Sequence, residues 1–223
     1  MIFHDRKHAG RLLAAQLRRY RNAPDLLVCA LPRGGVVAGF EIAKALNAPL
    51  DVLIVRKLGV PGHSELAMGA IASGGVRVLQ HDLIDTLGIS KQLVDAVTAR
   101  EERELARREA LYRGDVPPLQ IRERTIILVD DGIATGSTMR AAAVAARQQQ
   151  PKRLVIAVPV AAPSASIELA DLADEIVCVA QPKLFHAIGE YFEDFHQVSD
   201  EEVRELLQIA GKRFASHRMS AVA

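Results

Sequence analysis

Apolar positions recur along the chain in two alternating rhythms. Ala9, Leu12, Leu13, Leu17 and Tyr20 are spaced for one face of a helix, so the pattern predicts a helix over 6–20 with Asp5 as its N-cap. Short, continuously apolar runs then alternate with helical segments. "LLVCAL" (26–31) precedes a helix near 36–46, and "DVLIV" (51–55) leads into a loop. Runs near 68–72 and 75–79 predict a hairpin through Ser73-Gly74-Gly75. A long charged helix follows between Ile89 and Arg113, with Arg100–Glu104 and Glu104–Arg108 at i,i+4 spacing. Its apolar face is thin, which suits packing on the outside of the fold or against a second subunit. "TIILV" (125–129), a helix over 137–149, "RLVIAVPV" (153–160), a helix near 164–172, "EIVCVA" (175–180) and a last amphipathic helix near 199–211 complete the pattern. Strands apolar on both faces and separated by helices imply a mostly parallel, Rossmann-like α/β sheet flanked by helices.

Composition narrows this picture. The 223 residues, 49% of them apolar, suffice for one large α/β domain over 1–223, and neither an internal repeat nor a low-complexity linker divides them. A formal net charge of +1 argues against a broad nucleic-acid surface. No apolar run is long enough for a membrane span or signal core, so a cytoplasmic protein is expected. Cys29 and Cys178 each sit inside an apolar run and are read as buried small hydrophobes. His4 and His8 are read as surface residues, and no metal site made of protein side chains is expected.

The candidate chemistry lies in "VDDGIATGST" (129–138). In parallel sheets, ligands bind beyond the carboxyl ends of the strands. There Ala134, Thr135, Gly136, Ser137 and Thr138 would open a helix whose free N–H groups and positive dipole end suit a phosphate. Asp130 and Asp131 would repel that phosphate but accept hydrogen bonds from vicinal hydroxyls. Phosphate on one side and diol on the other describe a ribose 5-phosphate. An isolated Asp-Gly is an ordinary turn; it is the whole constellation at a strand–helix junction that points to a ligand. A Walker loop needs Gly-Lys-Ser/Thr, and no Lys precedes Ser137; the dinucleotide fingerprint is absent too.

Two more loops carry cations. "ALPRGGVVAG" (30–39) offers Arg33 beside Gly34-Gly35, and "VRKLGVPGHSELAMG" (55–69) offers Arg56 and Lys57, then Gly59, Pro61 and Gly62, which suggest a mobile loop over 58–67.

The acid–glycine segment resembles the 5-phosphoribosyl 1-diphosphate (PRPP) signature of type I phosphoribosyltransferases. The resemblance covers nearly the whole chain. It is greatest to a branch sharing "LPRGG", "VRKLG", "ELAMGA" and an "FxxIGxYFxDFxQVSDEEV"-like C-terminus, whose motifs do not define its acceptor. It implies that fold with a small hood or lid. It places Asp130 and Asp131 on the ribose hydroxyls as the catalytic pair, and Ala134, Thr135, Gly136, Ser137 and Thr138 on the 5-phosphate. Arg33, Gly34, Arg56 and Lys57 would bind diphosphate, with a cis peptide at Pro32–Arg33. His63 and Glu65 would lie on the flexible loop that closes over it. The implied reaction displaces diphosphate from PRPP with Mg²⁺, the metal held mainly by ligand oxygens, and transfers the sugar to an unidentified acceptor such as a nucleobase. Phe185, Tyr191 and Phe192 are candidates for the acceptor site, with 181–223 as lid and packing helix. A homodimer is expected from the habits of the fold. The alternative is a non-catalytic regulator that binds PRPP or a nucleotide.

Overall fold

The structure, a computed structural model, describes residues 2–114, 116–118 and 120–220; the side chains at 64, 65 and 217–220 lie outside it. Five parallel strands form the central sheet: β1 (Leu26–Ala30), β2 (Leu50–Val52), β6 (Thr125–Val129), β7 (Arg153–Val160) and β8 (Glu175–Ala180), in the spatial order β2-β1-β6-β7-β8. Every residue of β1 and β6 is buried, because successive side chains enter opposite cores. Val28, Ala30, Ile127 and Val129 join one apolar cluster with Leu13, Val36 and Ile42. That side is covered by α1 (Arg6–Gln16), α2 (Gly34–Leu46) and α7 (Asp200–Ser220). Leu27, Cys29, Ile126 and Leu128 join the other with Met139, Ala142 and Leu169, on α5 (Ser137–Gln148) and α6 (Pro163–Leu169). Each of the larger side chains here, Val, Leu, Ile or Met, contributes about 1.5–3 kcal/mol by leaving water.

From β1 the chain crosses to β2 on one side; from β6 it crosses to β7 on the other. The carboxyl ends of β1 and β6 therefore flank the point where the winding reverses, and a crevice opens there. Cys29 is buried, as the sequence predicts, and Cys178 is half-buried.

The main departure from the sequence reading follows β2. The apolar run 51–55 divides between two sheets. Beyond it, β3 (Val55–Val60), β4 (His63–Ala72) and β5 (Val76–Leu79) make a separate antiparallel sheet. The stretch 58–67, expected as a loop, is thus mostly a hairpin turning at Pro61-Gly62, with Val60 paired to His63 and irregular register around Gly59. Leu58 and Met68 are fully buried beneath it, which gives an otherwise polar strand its apolar anchor.

A short α3 (His81–Thr86) leads to α4 (Lys91–Arg113), capped by the Ser90 hydroxyl, which accepts from the Leu93 amide. Its buried positions, Val94, Val97, Thr98, Glu101 and Leu105, form one helical stripe. That stripe packs on β3, and the helix also meets α7, so its thin apolar face is used within the chain. Residues 181–199 form a hood closed by the 3-10 turn Ile188–Tyr191. Phe3 and Phe192 pair across it in a parallel bridge and are both buried. Phe192 consequently belongs to the interior, where its ring lies 5.2 Å from Phe3.

Candidate functional site

The turn after β6 is built tightly against the turn after β1. Leu31 N–H donates to the Val129 carbonyl across 2.8 Å, which joins the two strand ends. The Pro32–Arg33 peptide is cis. Gly34 then opens α2 directly beside Asp131, so close that a Cβ there would overlap the Asp131 carboxylate. Glycine at 34 thus makes room for the acid.

The two acids differ. Asp131 Oδ2 accepts from Arg6 Nε across 2.7 Å. Asp130 Oδ1 accepts from the Asp131 backbone N–H, at 2.9 Å. Burial, reinforced by the charge of Asp131, pushes the Asp130 carboxyl well above the usual carboxylate range.

At the other end of the turn, Gly136 has φ +73° and caps α5, whose first residue is Ser137. A β-carbon is disfavoured in that left-handed conformation. Thr135 and Ser137 hydroxyls lie 3.0 Å apart, and Lys57 Nζ donates to Ser137 Oγ across 2.6 Å. Ala134, Thr135 and Thr138 are exposed. One ammonium, two hydroxyls and the free amides of a helix start thus converge, which is the donor set of a phosphate cradle.

Arg56 and Lys57, neighbours in sequence, point to different partners. Arg56 donates through Nε and Nη2 to Glu101 Oε2, at 2.8 and 2.6 Å. Arg100 adds a second cation to the same carboxylate. A cleft of about 740 Å³ lies between hairpin, α4 and the start of α5, with Arg56, Lys57, Arg100 and Thr138 in its lining. Arg33, half-buried, forms no ion pair among the described residues. Its charge is felt by Tyr112, whose phenol is pushed up to about 12 by burial and by its bond to Asp200.

The structure therefore brings Asp130, Asp131 and Gly34 together at one end of the turn after β6, and Thr135, Ser137 and Lys57 at the other; Arg33 precedes Gly34 in the neighbouring turn. His63 is exposed at the start of β4, and the Glu65 side chain lies outside the described residues. In the hood, Phe185 and Tyr191 stack on each other, centroids 5.6 Å apart. Ile188 seats against the Gly132 backbone, at the turn itself. Among the described residues no group of three or more His, Cys, Asp or Glu could hold a metal, and no helix is long and apolar enough to cross a membrane.

Sequence reasoning missed Arg6, Glu101 and Ile188. For Arg6 a signal exists. It precedes Ala9, Gly10, Leu13 and Ala14 at intervals of three, four, seven and eight, the buried stripe of α1. A charged residue on that stripe needs a partner.

A family model described as a phosphoribosyl transferase domain matches residues 3–191. Two Mycobacterium tuberculosis proteins, from strains CDC 1551 / Oshkosh and H37Rv, are named provisionally as phosphoribosyl transferases. Each is 44% identical over 214 residues, covering 96% of this chain and 48% of the relative. The chain spans about half the length of these curated relatives. The crystal structure of TT1426 from Thermus thermophilus is similar at a TM-score of 0.82 and 42% identity, over 93% of this chain and 98% of that one.

Proposed function

Since the chain belongs to the phosphoribosyl transferase family, we propose that it binds PRPP at the β1–β6 crevice and transfers the phosphoribosyl group to a small-molecule acceptor with release of diphosphate. The observation that carries this reading is the division of one short turn, with carboxylates at 130 and 131 and the Lys57 ammonium on Ser137 at the other end. In this reading Lys57, Thr135, Ser137 and the amides around Gly136 hold the 5-phosphate. Asp131 and Asp130 accept from the ribose hydroxyls, and Arg33 faces the diphosphate beside Gly34. Arg56, whose charge is engaged by Glu101, fixes the hairpin to α4 in this reading.

The donor set suits Mg²⁺ bound through ligand oxygens. One carboxylate is engaged by Arg6 and the other is half-buried against the Asp131 amide, and Mg²⁺ commonly takes one or two carboxylates and completes its shell with water and phosphate oxygens. Asp130 and Asp131 are the residues that would meet it. When bound, the cation neutralises charge on the departing diphosphate. The carboxylates orient the ring and face the positive charge that develops at C1. The hairpin and Ile188 keep water from the reacting carbon. A nucleobase is the first acceptor to try.

A binding-only role is favoured by one observation: the Arg56 charge is already engaged by Glu101. Diphosphate release, screened across nucleobases and other nucleophiles with PRPP and Mg²⁺, separates the two. Turnover with at least one acceptor is expected, and Asp131→Asn should reduce it by about 100-fold or more, since it removes a charge facing the transition state. Unchanged turnover in that variant would refute the role given to Asp131; PRPP binding without turnover for any acceptor would favour the regulator.

A further inference from the structure

The buried arginine of the first helix has no role in the reading above. We propose that Arg6 is a positioning residue for ribose recognition: it fixes the Asp131 carboxylate in the orientation that receives the sugar and ties that orientation to the seat of the hood. The proposal rests on the reading of Asp131 as a ribose-binding acid.

Arg6 is 7% exposed. Its Nε donates to Asp131 Oδ2 at 2.7 Å, Nη1 donates to the His196 carbonyl at 2.8 Å, and the guanidinium lies 3.8 Å from the centre of the Phe195 ring. Three parts of the chain, the first helix, the turn after β6 and the hood, therefore meet on one planar cation. A guanidinium suits this task because its donors are fixed in a plane and its face stacks on an aromatic ring. Lysine would supply the charge without the fork.

Two features argue for a positioning role beyond plain stability. First, the hood has its own attachment. Phe3 N–H donates to the Tyr191 carbonyl, Glu193 N–H to the Phe3 carbonyl and Asp194 N–H to the His4 carbonyl. Phe3 and Phe192 are buried there as well, so Arg6 is not needed to hold the hood on. Second, one oxygen of Asp131 is held firmly. Arg6 donates to Oδ2, and the α-carbon of Gly34 packs against that same oxygen so closely that a side chain there would overlap it. The carboxylate is left one oxygen, Oδ1, for a ligand hydroxyl. Because Arg6 also grips the hood at His196 and Phe195, a shift of the hood moves the ribose acid. The acceptor side and the sugar side of the crevice thereby share one side chain.

The test is a double-mutant cycle read by calorimetric titration of the full chain with PRPP and Mg²⁺, using wild type, Arg6→Gln, Asp131→Asn and the double variant. Loss of a charge-assisted bond to the recognising acid is expected to weaken PRPP binding about tenfold or more in Arg6→Gln. If Arg6 acts through Asp131, the double variant should bind within about twofold of Asp131→Asn alone, because neighbours that act as a unit are not additive. Arg6→Lys should fall between wild type and Arg6→Gln. Phe195→Leu, which keeps the charge and removes the ring beneath it, should weaken binding in the same direction by less. Should Arg6→Gln fail to fold, Arg6→Lys and Phe195→Leu carry the same cycle. Wild-type affinity in the Arg6 variants, or losses that multiply in the double variant, would overturn the proposal. Absence of PRPP binding by wild type would instead remove the functional reading on which it stands.

Discussion

Asp130 and Asp131 are adjacent, identical in chemistry and placed in different environments. Asp131 has a cation within hydrogen-bonding distance; Asp130, half-buried like its neighbour, has a backbone amide. The linkage between protonation and folding has a definite sign here. A carboxyl whose affinity for a proton is higher in the folded state binds more protons folded than unfolded. The ligand-free protein should thus lose stability as pH rises above about 4, the ordinary aspartate value, towards the raised folded value. Asp130→Asn keeps an oxygen acceptor for the Asp131 amide and removes the titrating group. Urea denaturation at pH 5 and pH 8 should show the variant gaining on wild type as pH rises, with its larger advantage at pH 8. A wild-type advantage that grows towards pH 8 would show that the surroundings of Asp130 do not favour its protonated form. The acid pair is readable from "VDDGIATGST" as a pair. Its asymmetry is not, because it depends on Arg6, which is distant in sequence.

At the scale of elements, α4 explains why the hairpin stands where it does. The helix has little apolar surface, and one of its buried residues is Glu101. That carboxylate, 8% exposed, binds Arg56 of β3 and Arg100 of its own helix. Removing one member of an enclosed ion pair leaves the other charge without compensation. Glu101→Gln should accordingly lower stability by about 1–3 kcal/mol, less than for a fully buried pair because Arg56 keeps some water contact. A urea midpoint unchanged from wild type would mean that apolar packing alone holds the hairpin. Sequence periodicity shows α4 clearly but not its partner. "VRKLGVPGHSE" has the Gly and Pro content of a loop, and its pairing with β4 becomes visible only when Leu58 and Met68 are seen buried together. By contrast β1, β6 and β7 are legible as they stand, because strands buried on both faces are written as unbroken apolar runs. Phe192 shows the opposite failure. An aromatic near a candidate site reads as a ligand contact, yet its ring fills the space beneath the bridge to Phe3.

Over the whole molecule, one topological fact gathers the chemistry. The winding reverses between β1 and β6, so the turns carrying Arg33-Gly34 and Asp130-Asp131 emerge side by side. The hairpin brings Lys57 to the start of α5, and the hood brings Ile188 against Gly132. Opposite charges thus stand at the two ends of the turn after β6, Lys57 at Ser137 and the acids at 130 and 131. What the crevice binds is tested most directly by calorimetric titration of the full chain with PRPP in Mg²⁺, repeated in the presence of ribose 5-phosphate. Saturable binding at one site per chain, weakened competitively by ribose 5-phosphate, is the predicted result. No binding, or binding that ribose 5-phosphate leaves unchanged, would contradict a crevice built for a phosphorylated pentose.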